Sequence, residues 1–336
     1  MAPSFVSDKM HELSISGKNQ TPPIVLKFKD RIDALAFSPH LLSRDLLGVA
    51  FPSKIVIGSV RFQDEYDDLP GEVEYLKIQE FSVSSRVHAI SWSPETNLKI
   101  APKKLLFAYS TSDSKITVVS SNVTTFSSQV LQGHTSYVND IAFNPIGNFL
   151  ASGSDDLTCQ VRLTDKEYEI MSKFYLKAPV VAVKWHHEDP VKVLVAQKDG
   201  IITFFNVTTK TAIMSLRSSA SPMITVDWSP SNSQFVAAIA GGQLFVWNVT
   251  NPSMAHTERT NSNVGLNVKF FPLNEQKIVS LGAPENVLKV SYLHNPNNPV
   301  SLATLELATG LTIHQQLPYA CTAVYSSIHI YRLTGL

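Results

Sequence analysis

One phrase recurs along the chain about every 43 residues: a small or branched residue, one spacer, an aromatic, a polar residue, then proline. It reads Ala34-Leu35-Ala36-Phe37-Ser38-Pro39, Ile90-Ser91-Trp92-Ser93-Pro94, Ile141-Ala142-Phe143-Asn144-Pro145, Val183-Lys184-Trp185-His186 with Pro190 following, Val226-Asp227-Trp228-Ser229-Pro230 and Val268-Lys269-Phe270-Phe271-Pro272. A degenerate seventh copy is Leu311-Thr312-Ile313-His314. The key positions 37, 92, 143, 185, 228, 270 and 313 are 55, 51, 42, 43, 42 and 43 residues apart, the period of a four-stranded propeller blade. Seven copies predict an all-β, seven-bladed propeller.

Alternating apolar residues before each proline read as an inner strand, which proline ends because it has no N–H for the next ladder bond. A second run follows in each repeat: Ser112-Asp113 to Val119, Asp155-Asp156 to Arg162, Asp199-Gly200 to Phe205, Gly241-Gly242 to Trp247 and Asn286 to Tyr292. Its Asp, Asn and Gly residues suit a tight hairpin turn. A single blade cannot bury both faces, whereas stacked blades turn those faces into shared cores. Phe37, Trp92, Phe143, Trp185, Trp228, Trp247 and Phe270 are therefore expected core residues.

The third copy carries Leu131-Gln132-Gly133-His134-Thr135 and then Leu150-Ala151-Ser152-Gly153-Ser154-Asp155-Asp156. Here the chain resembles the WD40 family, whose Gly-His dipeptide and turn Asp join a strand Ser and a Trp in a hydrogen-bonded tetrad. Gly133, His134, Ser152 and Asp156 match that pattern, but Arg162-Leu163 stands where Trp-Asp would be. The resemblance implies a structural network bracing the blade. The dipeptide survives as Trp247-Asn248 and, more loosely, as Phe205-Asn206.

Tyr331 holds the bulky position of the seventh blade, and too few residues follow it for an outermost strand. That strand is expected from Ile24-Val25-Leu26-Lys27-Phe28, so that the two ends of the chain clasp each other and leave no large open edge. Residues 1–20 read as a flexible polar arm and 21–336 as a single propeller. The first interval exceeds the period by about 12 residues, and the excess is an acidic, aromatic-bearing insertion at about 62–74. Within it, Asp64, Glu65, Tyr66, Asp67 and Asp68 are candidates for partner docking, since loops on a rigid scaffold often carry binding; a solvated loop is the plainer reading.

Lys and Arg together number 28, as do Asp and Glu, so no basic field exists for phosphate neutralisation, and the Lys99, Lys103, Lys104 cluster reads as a solvated loop. No apolar run approaches a membrane span and no signal-peptide pattern opens the chain, so a cytosolic or nuclear protein is expected. The two cysteines, Cys159 and Cys321, lie in predicted strands and read as buried thiols. The sequons at Asn122, Asn206 and Asn248 matter only in a secreted protein.

Catalytic propellers place their chemistry around the central channel, yet no convergent ionisable residues stand out in the sequence. His186-His187-Glu188-Asp189 is the densest metal-like cluster, but it falls in the turn after an inner strand, without the separated ligand geometry of a zinc site. Ser152-Gly153-Ser154 precedes a hairpin turn rather than a helix, unlike a nucleophile elbow. No catalytic residue, cofactor, metal or small-molecule substrate is expected.

Several phrases narrow the resemblance: Ser91-Trp92-Ser93-Pro94-Glu95-Thr96, Leu131-Gln132-Gly133-His134-Thr135, Ser154-Asp155-Asp156-Leu157-Thr158-Cys159, Val183-Lys184-Trp185-His186, the insertion beginning Phe62-Gln63, and Gly310-Leu311-Thr312-Ile313-His314 with Leu317-Pro318. In order and spacing, over roughly residues 24–333, they resemble the small WD-repeat nucleoporin family of the Y-shaped nuclear pore scaffold. That resemblance implies a non-enzymatic subunit that binds a large nucleoporin, itself a propeller joined to an α-solenoid, together with other Y-complex subunits. It also implies residence at the nuclear envelope and, in animals, at mitotic kinetochores, with no direct nucleic-acid or membrane contact. Two other classes remain: a generic WD40 adaptor or peptide reader, such as a ubiquitin-ligase substrate receptor or histone-tail binder, which needs a charged or aromatic cage at the channel mouth, and a propeller enzyme, which needs perturbed groups in the channel.

Overall fold

The repeat phrase becomes the inner strand of each of seven blades. In the computed structural model, residues 22–69, 71–252, 255–259, 264–283, 287–295, 301–304 and 308–333 are described. The arm expected at 1–20 and the turn residue Asn286 lie outside the described residues. Among the described residues there are seven four-stranded antiparallel sheets. Blade three is Val138–Phe143, Phe149–Ser154, Thr158–Leu163 and Glu169–Tyr175, ordered from the inside outwards. The inner strands pack side by side around the ring, and that of blade seven meets that of blade one. No helix among the described residues is long and apolar enough to cross a membrane.

Closure follows the expected route. Blade seven comprises Ala308–Ile313, Tyr319–Val324 and Ser327–Arg332, and its outer strand is Ile24–Lys27 from the other end of the chain. The pairing is antiparallel, with Ile24 opposite Ile330 and Lys27 opposite Ser327, and the Phe28 N–H continues it to the Ser326 carbonyl at 2.8 Å. Ile24, Leu26 and Phe28 pack on a core cluster that includes Phe37, Phe51 and Ile330, so closure buries apolar surface as well as pairing an edge.

Two features explain the repeat phrase. In six inner strands the register shifts between the residues five and three before the strand's last residue, as between Val138 and Asp140 or Met223 and Thr225. Such a bulge sharpens the twist of the strand as it approaches the crowded axis. The polar residue after the aromatic then caps the turn. Ser93 Oγ, Asn144 Oδ1, Ser229 Oγ, His186 Nδ1 and His314 Nδ1 each accept a backbone N–H two to five residues on, as with Asp189 N–H to His186 at 3.0 Å. His186 is thus occupied in a turn, its ring edge-on to Trp228 at 5.0 Å. The three sequon asparagines do similar work, with Asn122, Asn206 and Asn248 each accepting the N–H two residues on through the side-chain oxygen.

The long intervals fall in loops on one face. The first is taken up largely by residues 63–72, between the third strand Lys54–Phe62 and the outer strand Val73–Ser82 of blade one. The second, 51 residues long, is taken up by 93–104, between Val87–Trp92 and Leu105–Thr111 of blade two. Cys159 and Cys321 are fully buried, and burial pushes both thiols well above their ordinary range.

Candidate functional site

Blade three brings Gly133, His134, Ser152 and Asp156 together. Gly133 has φ +144°, a conformation that side chains rarely adopt, and a Cβ there would also displace Arg162 Nη2 at 2.7 Å and Gln160 Oε1 at 2.8 Å. His134 Nδ1 lies 2.8 Å from Asp156 Oδ2, and its Nε2 lies 2.8 Å from Ser152 Oγ. A carboxylate can only accept, so the neutral ring donates from Nδ1 and accepts the Ser152 hydroxyl at Nε2. Asp156 also receives the N–H groups of Thr135 and Thr158, both at 3.0 Å, and the Thr158 hydroxyl at 2.6 Å. Arg162, at the position where the family has tryptophan, makes no hydrogen bond to Ser152 among the described residues. It donates instead to the carbonyls of Tyr168 (3.0 Å) and Gln132 (2.5 Å) and to Gln160 Oε1 (2.9 Å).

Burial lowers the His134 pKa from its ordinary 6.5, and the hydrogen bond and charge of Asp156 only partly oppose that. The unfolded chain therefore binds the proton more readily than the folded one. The contribution of this histidine to stability is full above pH 6.5 and is lost as pH falls toward the folded pKa. Melting temperature should fall from pH 7.5 to 5.5, and His134→Gln should lower the melting temperature at pH 7.5 while flattening that fall. An equal pH slope in the variant would remove His134 from the account.

The channel along the axis encloses about 470 Å³. Its wall includes the residues one and three before each aromatic. On blades seven, one and two these are small: Thr312, Ala34 and Ala36, Ala89 and Ser91. On blades three to six they include Asp140, Lys184, Asp227, Asn267 and Lys269, which corrects the expectation that no ionisable groups converge there. The signal was present in the repeat phrase, where Lys184, Asp227 and Lys269 occupy one equivalent position.

These charges lock seams between blades. Asp140 accepts the Val183 N–H at 3.0 Å and pairs with Lys184, while Asp227 accepts the Phe270 N–H at 2.9 Å and pairs with Lys269 at 3.3 Å. Burial works against the charge on Lys184, but Asp140 and Asp227 outweigh it and raise the pKa.

A rule of succession links neighbouring inner strands. Where the residue before the aromatic is alanine, the next blade has tryptophan, whose indole N–H reaches that alanine's carbonyl: Trp92 to Ala36 at 3.0 Å and Trp185 to Ala142 at 2.8 Å. Where that residue is Thr, Ser or Asp, the next blade has phenylalanine, whose backbone N–H reaches the side chain: Phe37 to Thr312 and Phe143 to Ser91, both at 3.0 Å, and Phe270 to Asp227. Trp228 follows Lys184 and departs from the rule, bonding Ser233 O at 2.8 Å. Phe37, Trp92, Phe143, Trp185, Trp228, Trp247 and Phe270 are all buried, so the structure places them in the core clusters between blades rather than on a ligand-stacking surface.

The acidic insertion is drawn inward over most of its candidate residues. Asp64 accepts the Tyr319 hydroxyl at 3.2 Å and pairs with Arg332 at 3.1 Å, both of blade seven. Glu65 pairs with Arg44 at 2.7 Å, and Tyr66 lies under the Arg61 guanidinium at 4.2 Å. Phe62, at the root of the loop, stacks on Tyr319 at 4.1 Å. Asp67 and Asp68 face solvent. The lysine cluster is also partly engaged, with Lys99 on Asp45 at 2.8 Å and Lys104 on Glu95. Burial alone would raise the Asp45 pKa, but His314, Lys99 and Arg44 outweigh it and hold it at about 2. Among the described residues no three His, Cys, Asp or Glu side chains come together as a metal set.

This geometry, a closed ring whose channel charges are paired across seams, has sequence relatives. The WD domain, G-beta repeat family matches residues 126–161, from the outer strand of blade two into the third strand of blade three. Nucleoporin Nup37 of Mus musculus is 30% identical over 86% of this chain and 90% of its own length, and Nup37 of Homo sapiens is 30% identical with the same coverage. Nup37 of Drosophila melanogaster is 32% identical over 82% of this chain and 86% of its own length. With that similarity spanning nearly the whole propeller, the chain belongs to the Nup37 family of WD-repeat nucleoporins.

Proposed function

We propose that this protein is a non-enzymatic structural subunit of the Y-shaped scaffold of the nuclear pore complex. In this reading it binds the large propeller and α-solenoid nucleoporin of that scaffold and supports pore assembly and nucleocytoplasmic transport. The observation that carries the reading is similarity to nucleoporins over nearly the full length of both chains, rather than over one repeat. Two physical features support it. The charged channel residues are paired to one another and to backbone N–H groups, the arrangement of a frame rather than of a poised acid or base. The equal counts of 28 basic and 28 acidic residues suit a protein partner better than DNA or an anionic lipid surface.

A rigid propeller binds with its loop faces, and affinity there rests on a few apolar anchors inside a polar rim. Of the acidic insertion, Asp67 and Asp68 carry the docking contribution in this reading, while Asp64, Glu65 and Tyr66 hold the loop against blades seven and one. Co-expression of the full chain with the large nucleoporin should give a complex of equal stoichiometry that survives gel filtration. Separate elution of the two at micromolar concentration would exclude the reading.

A further inference from the structure

Strands alternate in direction across each blade, so the loops from inner to second strand and from third to outer strand emerge on the same face. On that face three successive loops present large aliphatic side chains to solvent. Leu41 is 63% exposed and Leu42 43% in blade one, Ile100 59% in blade two and Ile146 60% in blade three. The three loops touch one another. His40 Nε2 meets the Trp92 carbonyl at 3.1 Å, Lys99 bridges to Asp45 at 2.8 Å, and a Cβ at Gly147 would stand 3.0 Å from Pro94.

Isolated exposed aliphatics are ordinary, but four on adjoining loops form a patch whose hydration is unfavourable. The 93–104 loop is also several residues longer than its counterpart in blade three, 144–148, and it uses that length to carry Ile100 outward. On the same face Asp67 and Asp68 lie in the blade one insertion, and neither takes part in an ion pair among the described residues. Arg44 and Lys99, by contrast, are already satisfied by Glu65 and Asp45.

We propose that this patch is the docking surface, and that its occupant is an amphipathic helix of the partner's α-solenoid, its apolar stripe on Leu41, Ile100 and Ile146 and its basic flank toward Asp67 and Asp68. The inference rests on the function proposed above. A helix suits the site because three anchors on successive loops match the repeated side chains of one helix face, and the insertion on the same face offers the carboxylates of Asp67 and Asp68, while Lys103 on the Ile100 loop is the exposed cation the helix must leave to solvent. Docking removes the aliphatics from water, while the carboxylates orient the approach and quicken it.

The test uses the full chain and the large nucleoporin. Leu41→Glu with Ile146→Glu should melt like the wild type, because both positions are exposed, yet bind at least about tenfold more weakly. Tyr175→Glu with Tyr325→Glu, altering two still more exposed side chains on the opposite face, should bind unchanged. Asp67→Lys with Asp68→Lys should weaken binding at low salt more than at high salt. Wild-type binding with an unaffected Leu41 and Ile146 variant would overturn the patch while leaving the proposed function intact. Loss only in the Tyr175 and Tyr325 variant would move the interface to the other face. Absence of wild-type binding would remove both proposals, and concentration-dependent self-association abolished by the Leu41 and Ile146 changes would make the occupant a second copy.

Discussion

Replacing Trp185 by alanine should lower stability by about 3–5 kcal/mol, the range for deleting a buried aromatic from a core that cannot collapse around the gap. Trp185 is 5% exposed and sits between blades three and four, stacked on Phe149 at 5.8 Å within a cluster that includes Val161, Phe174 and Val193. Its indole N–H also spans the seam to the Ala142 carbonyl at 2.8 Å. Trp185→Phe keeps most of the apolar contact and leaves that carbonyl unmet, which costs about 1–3 kcal/mol. Denaturant unfolding of both variants separates packing from the hydrogen bond. A Trp185→Ala protein with wild-type stability but no partner binding would make this residue a ligand contact instead.

Deleting residues 1–30 should have a larger effect still. The deletion removes the Ile24–Lys27 strand, unpairs the Ser327–Arg332 edge and strips Ile24, Leu26 and Phe28 from the cluster around Phe37 and Ile330. An unpaired edge beside exposed apolar surface is a template for intermolecular pairing. The truncated chain should elute as aggregate and lose its cooperative melt. A soluble 31–336 monomer with an unchanged melting temperature would contradict closure by that strand.

The fold was legible because its signals are local and repeated. An aromatic, its follower and a proline mark six inner strand ends and Ile313-His314 marks a seventh, and marks recurring at that interval leave little freedom. Closure was legible by counting, since blade seven lacked one strand and residues 24–28 lacked a partner. The channel charges were harder to see, because Lys184, Asp227 and Lys269 lie more than 40 residues apart and only the closed ring turns their shared register toward the axis.

The acidic insertion shows a different limit. Its composition suggested a loop free to dock, but Asp64 finds Tyr319 and Arg332, more than 250 residues away in sequence, and only the closed ring brings them together. The aliphatic patch was hidden for a similar reason. Leu41, Ile100 and Ile146 belong to separate repeats, and their common exposure depends on how three loops pack.

The proposed role, a propeller held at the nuclear pore scaffold by a larger nucleoporin, is open to a direct test at the nuclear rim. The tagged full-length protein should mark the rim in untreated cells, and that staining should disperse when the large propeller and α-solenoid nucleoporin is depleted acutely, before pores themselves are lost. Rim staining that persists at full intensity after the depletion would contradict the account.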